Sequence, residues 1–570
     1  MLKTMSRPWR NLAFFLFLAA LLLGGVAGDK LLALGDDTGA EMQAFTELLM
    51  AARDTYGDDV TYKDLVYASI QGMLRTLDPH TNFLTPEAYD SMRQRQQGSF
   101  FGLGILVSKR NGQLTVISPI EGTPAWRLGL RAGDVISTIE GEPTDTMSLD
   151  EAVGKLKGPK DTKVNINIVR RGLNEPLPVS ITRAEIPQNT VRYAYMMTPE
   201  TGYIRLTDFS RSTAGEMEQA LEKLQGEGMD QLILDLRGNG GGLLDQTVTV
   251  SNFFVPDQTR IVETRGRLSS SYQTYLSDGE HEPLGKPVVV LVDRGTASAA
   301  EILAGAIQDH DVGLVAGTPT WGKGLVQTVY NLSYGTGIAL TTAKYYTPSG
   351  RLIQRDYSSY YDYYTYFQDE EEDDEVVVGE GALEDVDGVA NDDVVPQITF
   401  DGPEFTTDLG RTVYGGGGIT PDVMVEVPEG PVELQPLVIN NAFFAFAVDF
   451  EGKHDIESLD WQPPADLLDQ FRSFVVAEEI ATAEDMDEML ASEDAREFSK
   501  RQIHADIFNS AFGTEAAHRV QASGDVQIQA ALELFDEANQ LLLDRVALGK
   551  DQTTRLGSLD GQPNSEGGTP

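Results

Sequence analysis

The sequence predicts an α/β multidomain protein in which a β-rich module precedes an α/β core, with helical regions at both ends. Three observations predict it. Apolar residues recur at helical spacing near each end, short strands with two helices fill residues 97–185, and apolar strands alternate with helices over 186–350. The 570 residues suit about four domains.

Taken in order, the chain opens with Lys3, Arg7 and Arg10 ahead of an apolar run, Leu12–Leu23, and small residues to Gly28. A basic start, an apolar middle and small residues make an export signal. Residues 1–28 are therefore expected to be a signal peptide or a membrane anchor. The run is short of the roughly 20 residues that span a bilayer easily, which favours cleavage. Membrane association is expected only through this segment. Residues 29–96 read as helical, with Glu41–Arg53 and Tyr62–Leu77 as helices. Leu65, Ala68, Ile70, Met73 and Leu77 line the second, which stops at Asp78-Pro79.

Residues 97–185 change period. Strands are expected at 102–107, 114–117, 135–139 and 164–170, with helices at 124–130 and 149–157. The α/β core, 186–436, carries apolar strands Gln231–Leu236 and Pro287–Val292, each followed by a helix. Residues 355–414 read as an insertion. Tyrosines crowd 357–366, and an unbroken acidic block runs Asp369–Glu375, the pattern of a solvated loop. Residues 437–548 return to helix. Ile528, Ala531, Leu532, Phe535, Ala538 and Leu542 make a stripe that suits core packing or a homodimer face, with Gly549 as its stop. The polar tail, 549–570, is expected to be disordered.

Charge and composition exclude several functions. Eighty-eight acidic against 44 basic residues leave a net charge of -44, which argues against a nucleic-acid partner. No cysteine is present, so disulfides, thiolate metal sites and cysteine nucleophiles are out. The six histidines show no ligand spacing, and no metal or other cofactor is expected.

Three segments could carry chemistry. Gly295-Thr296-Ala297-Ser298-Ala299-Ala300-Glu301 lies between a buried strand and a helix. A hydroxyl there meets the positive end of the helix dipole and free N–H groups, which suits a developing oxyanion. The same residues also read as a capping box, Ser298 with Glu301. Gly317-x4-Gly322-Lys323 is a near miss of a phosphate loop. However, Gly324 offers no hydroxyl to magnesium, and β-formers follow where a helix should start. Lys323 fits a base better, provided burial keeps its amine uncharged. On an extended segment Gln327 shares its face and can orient the amine without adding a charge. The bland alternative is a surface lysine in a glycine turn. Asp235-Leu236-Arg237-Gly238-Asn239-Gly240-Gly241-Gly242 is either a tight strand-to-helix turn or a backbone that donates N–H to a substrate carbonyl. No serine–histidine–acid arrangement stands out. His310 reads as a cation at a helix C-terminus.

Together these segments resemble the carboxyl-terminal processing peptidases, or tail-specific proteases. To them add Leu77-Asp78-Pro79-His80-Thr81, Tyr346-Thr347-Pro348-Ser349-Gly350-Arg351 and Gly418-Ile419-Thr420-Pro421-Asp422, all in the family's order. The resemblance covers about residues 60–435. It implies a ClpP/crotonase-like peptidase core and a Ser–Lys dyad, with Ser298 as nucleophile, Lys323 as base and then acid, and Gln327 orienting the lysine. It implies an oxyanion hole of the Ala299 N–H and one glycine-loop N–H, Gly242 or alternatively Gly241. It also identifies 97–185 as a PDZ domain whose carboxylate loop is Phe101-Gly102-Leu103-Gly104-Ile105. Such a domain adds a peptide as an extra strand and takes its terminal carboxylate in backbone N–H groups. The implied substrates are proteins or peptides with apolar C-termini, and the PDZ module of this family often gates the site. Departures are Gly240, Trp321 and the insertion.

The reading is a serine endopeptidase that cleaves proteins near their C-termini, exported to the periplasm or cell envelope, free or anchored to the inner membrane. The alternative is a non-catalytic PDZ scaffold or chaperone on a peptidase fold.

Overall fold

The computed structural model describes residues 36–356, 402–428 and 430–560. The expected export segment, the tyrosine cluster, the acidic block and residues 561–570 lie outside them. Residues 36–85 with 329–340 form one unit, and 86–328 with 341–560 another.

In the first unit, helices Asp36–Thr55 and Tyr62–Arg75 precede strand Asn82–Leu84, which pairs antiparallel with residues 337–339. Thr61 caps the second helix by accepting from Asp64 N–H at 3.1 Å. Its inward face differs from the expected stripe. Leu74 is buried, whereas Met73 and Leu77 are exposed. The face turns because Tyr67 packs on Phe83 of the strand, with ring centroids 4.8 Å apart, and Leu74 lies two turns beyond Tyr67 on that side.

In the second unit, the β-rich module is an antiparallel sheet ordered Ile105–Arg110, Gln113–Pro119, Val135–Ile139, Lys163–Val169, Leu177–Thr182. Burial along Lys163–Val169 alternates, as a strand with one packed face requires. Leu114, Ile136, Ile166, Ile168 and Ile181 fill the core with Leu156 of helix Leu149–Leu156. Ile105–Arg110 is an edge strand, paired on one side only.

The α/β core has six strands in chain order: Val191–Met196, Thr201–Leu206, Gln231–Asp235, Val288–Val292, Leu314–Gly317 and Val423–Met424. After the first antiparallel pair all neighbours are parallel. Right-handed crossovers stepping in one direction put their helices on one face. Helices Thr213–Gly226, Leu244–Ser251 and Ala299–Asp309 accordingly share one apolar core. The opposite face needs another cover, and Ile528, Ala531, Phe535 and Ala538 supply it, packing on Tyr203, Ile233, Val289 and Leu291. The C-terminal stripe is thus core packing.

Two boundaries need correction. Gly549 does not stop the last helix, which runs Phe535–Asp560, so residues 549–560 of the expected disordered tail are helical. A single glycine costs a helix only about 1 kcal/mol, which its neighbours offset. Residues 404–414, assigned to the insertion, form a hairpin, Glu404–Thr406 with Thr412–Tyr414. Arg411 beyond its turn binds Asp311 and Asp422 at 2.7 and 2.6 Å, which ties that hairpin to the core.

The C-terminal helices also bring His518 against Asp235, the residue that opens the glycine segment. Tyr203 Oη donates to Asp235 at 2.6 Å, so its oxygen is left to accept from His518 Nε2, 3.3 Å away. Nδ1 then accepts from Tyr195 Oη at 3.1 Å, which fits a neutral ring. Burial holds His518 down at about 4. The unfolded chain therefore takes up a proton below about pH 6.5 that the fold refuses. Stability is fully present above that pH and falls toward pH 4, by up to about 3 kcal/mol from this group. Denaturant unfolding at pH 7.5 and 5 is expected to show a smaller loss in His518→Phe than in the wild type. The comparison isolates His518 from Asp506, whose carboxyl burial pushes up to about 6 and which acts in the opposite direction.

Candidate active site

Strand Val288–Val292 is buried throughout and ends in a turn that the glycine segment holds from the side. Asp293 Oδ1 accepts from Gly238 N–H at 2.7 Å and Gly295 N–H at 3.0 Å. Ala297 N–H donates to the Asn239 carbonyl at 2.8 Å. These bonds deliver Ser298 to the N-terminus of helix Ala299–Asp309 with φ 58° and ψ −117°, a conformation that costs an L-residue about 1–3 kcal/mol.

The two glycine-loop N–H groups differ in their hydrogen bonds. The buried Asn239 amide oxygen accepts Gly241 N–H at 2.9 Å, and its nitrogen donates to the Leu206 carbonyl at 3.0 Å. Gly241 N–H is therefore engaged. Gly242 N–H and Ala299 N–H donate to no described residue. A Cβ on Gly241 would stand 2.8 Å from Ser298 Cβ and 2.9 Å from Ala299 N, so only glycine lets this loop approach the serine. Gly240–Gly242 also line a cavity of about 240 Å³ with Met92, Arg95, Gln96, Asp208 and Phe209.

Lys323 follows Gly322 (φ 84°) and enters strand Leu325–Asn331. Its amine donates to Gln327 Oε1 at 2.9 Å, the same-face contact that an extended segment allows. The lysine is half-buried. Among the described residues no hydrogen bond joins Lys323 Nζ to Ser298 Oγ in this arrangement.

Two buried side chains bridge the serine turn and the lysine turn. Glu301 reaches back to Ser298 N–H at 2.7 Å, the half of the capping box that sequence suggests. It also reaches forward, accepting from Lys323 N–H at 3.0 Å, Gly322 N–H at 2.8 Å and the Thr320 hydroxyl at 2.5 Å. Burial pushes its carboxyl up while these four donors pull it down. Tyr345 supplies the converse. Its hydroxyl donates to the Ser298 carbonyl at 2.9 Å and lies within hydrogen-bond reach of the Lys323 carbonyl. Sequence reading missed Tyr345, and the only local signal was its position one residue before the Tyr-Thr-Pro-Ser-Gly-Arg segment.

Asp235 anchors the glycine segment. Burial would raise its carboxyl, but Arg237 and Arg205, with the Tyr203 hydroxyl, hold it at about 2. Arg237 extends further to Asp525 at 2.8 Å and Gln527 at 2.9 Å on the C-terminal helices.

The β-rich module places Phe101 and Gly102 at the end of strand Ser99–Gly102, which pairs with Ala184–Pro187. The Leu103 and Gly104 carbonyls accept from Ala125 and Ile120 N–H at 3.0 and 2.9 Å. Their own N–H groups donate to no described residue, which is what a carboxylate nest requires. Leu103 is 2% exposed, so it offers a ligand only its backbone, whereas Phe101 is 41% exposed. Ile105 opens the edge strand.

A serine at a helix N-terminus, a glycine backbone and a lysine thus share one site, preceded by a β-rich module, and comparison with known proteins gives the class: a serine peptidase carrying a PDZ domain. The family model "Peptidase family S41" matches residues 200–358, which include Ser298, Lys323 and Gln327, and a PDZ domain model matches 115–170, beginning after the Phe101–Ile105 loop. A carboxy-terminal-processing protease of Bartonella bacilliformis is 38% identical over 325 residues, 56% of this chain and 74% of that one. A carboxyl-terminal-processing protease of Synechocystis is 40% identical over 299 residues, 51% and 69%. The solved photosystem II D1 C-terminal processing protease is 34% identical and covers 55% of this chain and 90% of its own, at a TM-score of 0.32. The chain belongs to the carboxyl-terminal processing proteases of peptidase family S41.

Proposed function

We propose that this protease is an endopeptidase of the cell envelope that cleaves exported proteins near their C-termini with a Ser298–Lys323 dyad. Ser298 Oγ attacks the peptide carbonyl while the uncharged Lys323 amine takes its proton. The tetrahedral oxyanion sits on the N–H groups of Gly242 and Ala299. Collapse to the acyl-enzyme breaks the C–N bond, and the lysine ammonium returns the proton to the leaving amine. Water, activated by the same amine, then releases the acyl group. Gln327 orients the amine, and its neutrality matters, because a carboxylate there would hold the lysine charged. One observation carries the reading: the Lys323–Gln327 bond of 2.9 Å, on a turn joined through Glu301 to the backbone of Ser298. Proton transfer needs the amine to reach the serine hydroxyl, a contact that apo sites often make only with substrate bound.

The PDZ module selects substrates with apolar C-termini, which add to the open edge of Ile105–Arg110 with their carboxylate on the Leu103 and Gly104 N–H groups. Pairing of two copies and an N-terminal tether to the inner membrane complete the proposal. The test is labelling of the purified full-length chain with a fluorophosphonate. The adduct is expected on Ser298 and is lost in Ser298→Ala. A chain that binds C-terminal peptides but never labels is a PDZ scaffold, and the dyad is then wrong.

A further inference from the structure

Ser298 and Lys323 stand 25 residues apart in sequence, on separate turns, and something must fix their separation. Glu301 does so through their N–H groups. Tyr345 is placed to do so through their carbonyls. Its ring is in the core, at 1% exposure, and its own N–H donates to the Gly324 carbonyl at 3.0 Å, so the side chain is held from both ends. The hydroxyl has one proton, and two carbonyl oxygens compete for it, those of Ser298 and Lys323. The Ser298 carbonyl already accepts N–H from Glu301 at 2.9 Å and Ile302 at 3.1 Å, whereas the Lys323 carbonyl lies in a turn between two glycines.

We infer that Tyr345 is a positioning residue for the reaction: its hydroxyl spans the two turns and holds the turn that carries the base beside the turn that carries the nucleophile. The inference rests on the dyad assigned above. Tyr345 touches neither substrate nor the reacting atoms, so it acts through Lys323. Without the hydroxyl the Lys323 turn keeps its bonds to Glu301 and the Trp321 N–H bond to the Thr296 carbonyl but loses the tie between the Ser298 and Lys323 carbonyls, and the amine swings toward water, where it keeps its proton.

The experiment compares the wild type, Ser298→Ala and Tyr345→Phe, each as the full-length chain. Fluorophosphonate labelling is measured from pH 5 to 10, and cleavage of a C-terminal peptide substrate alongside it. Titration of reactive sites counts folded enzyme, so rates per site are independent of any unfolded fraction. Tyr345→Phe is expected to slow labelling and kcat by about 10–100-fold, leave KM within about 2-fold, and move the acid limb of the rate profile to higher pH. A wild-type rate and limb in Tyr345→Phe overturn the inference and leave the dyad intact. A lowered melting point with an unmoved limb overturns it too, because the hydroxyl then serves the fold alone. A wild type that labels elsewhere than Ser298 refutes the dyad itself.

Discussion

Lys323→Ala and Lys323→Arg are both expected to lose on the order of 10⁴-fold in kcat/KM, with KM little changed. On the proposed mechanism the alanine removes the base. The arginine keeps the length and polarity but stays charged at every accessible pH, so it can donate to Gln327 and still accept nothing. Ser298→Ala is expected to match them, and the double variant Ser298→Ala/Lys323→Ala to be no worse than either, because the proposed mechanism uses the two groups in one step. Peptide binding by the PDZ module is expected to survive in all four. The measurement is steady-state cleavage with calorimetric peptide binding on the same preparations. An arginine variant within tenfold of the wild type refutes lysine as the base.

Glu301→Ala is expected to injure fold and activity together. It removes the acceptor of three backbone N–H groups and a hydroxyl in a site with no water access, and the helix start loses its cap. Unsatisfied buried donors cost about 1–3 kcal/mol each, and partial rearrangement brings the total to about 3–5 kcal/mol. Activity falls by roughly 100-fold or more, since the two catalytic turns lose their shared acceptor. Glu301→Gln is expected to lie between. Its amide oxygen can serve Ser298 and Lys323 N–H, while its NH2 then faces Gly322 N–H and a Thr320 hydroxyl able to turn and accept. Denaturant midpoints and labelling rates on the three proteins check the order wild type, Gln, Ala. An alanine variant as stable and as reactive as the wild type refutes the bridging role.

The local arrangement of the site's residues was legible in sequence where it depends on short spacing. Ser298 precedes its helix, Gln327 lies four residues from Lys323, and the glycine run follows an apolar strand. Each is a pattern within a few residues, and each places its atoms by local geometry alone. What depends on tertiary register was not legible. Gly241 and Gly242 are indistinguishable until Asn239 is seen turning its amide back onto one of them. Tyr345 and the forward reach of Glu301 depend on where strands 325–331 and 337–346 pass the serine helix, which no short-range pattern encodes. The last helix runs past Gly549 because a single glycine costs only about 1 kcal/mol within a helix of 26 residues. The C-terminal stripe was legible as apolar periodicity, but its partner became clear only from the strand order, which leaves one sheet face bare.

The backbone of Ser298 has a consequence for what evolution keeps. At φ 58° and ψ −117° the side chain itself is the source of discomfort, and glycine would sit there at ease. Ser298→Ala retains the Cβ and its strain, whereas Ser298→Gly sheds it. Of these two variants, both inactive on the proposed mechanism, the glycine form is expected to melt at the higher temperature, by an amount worth about 1 kcal/mol. The peptidase would then be a protein whose stability optimum lies one substitution away from its activity, held off that optimum only by selection for turnover.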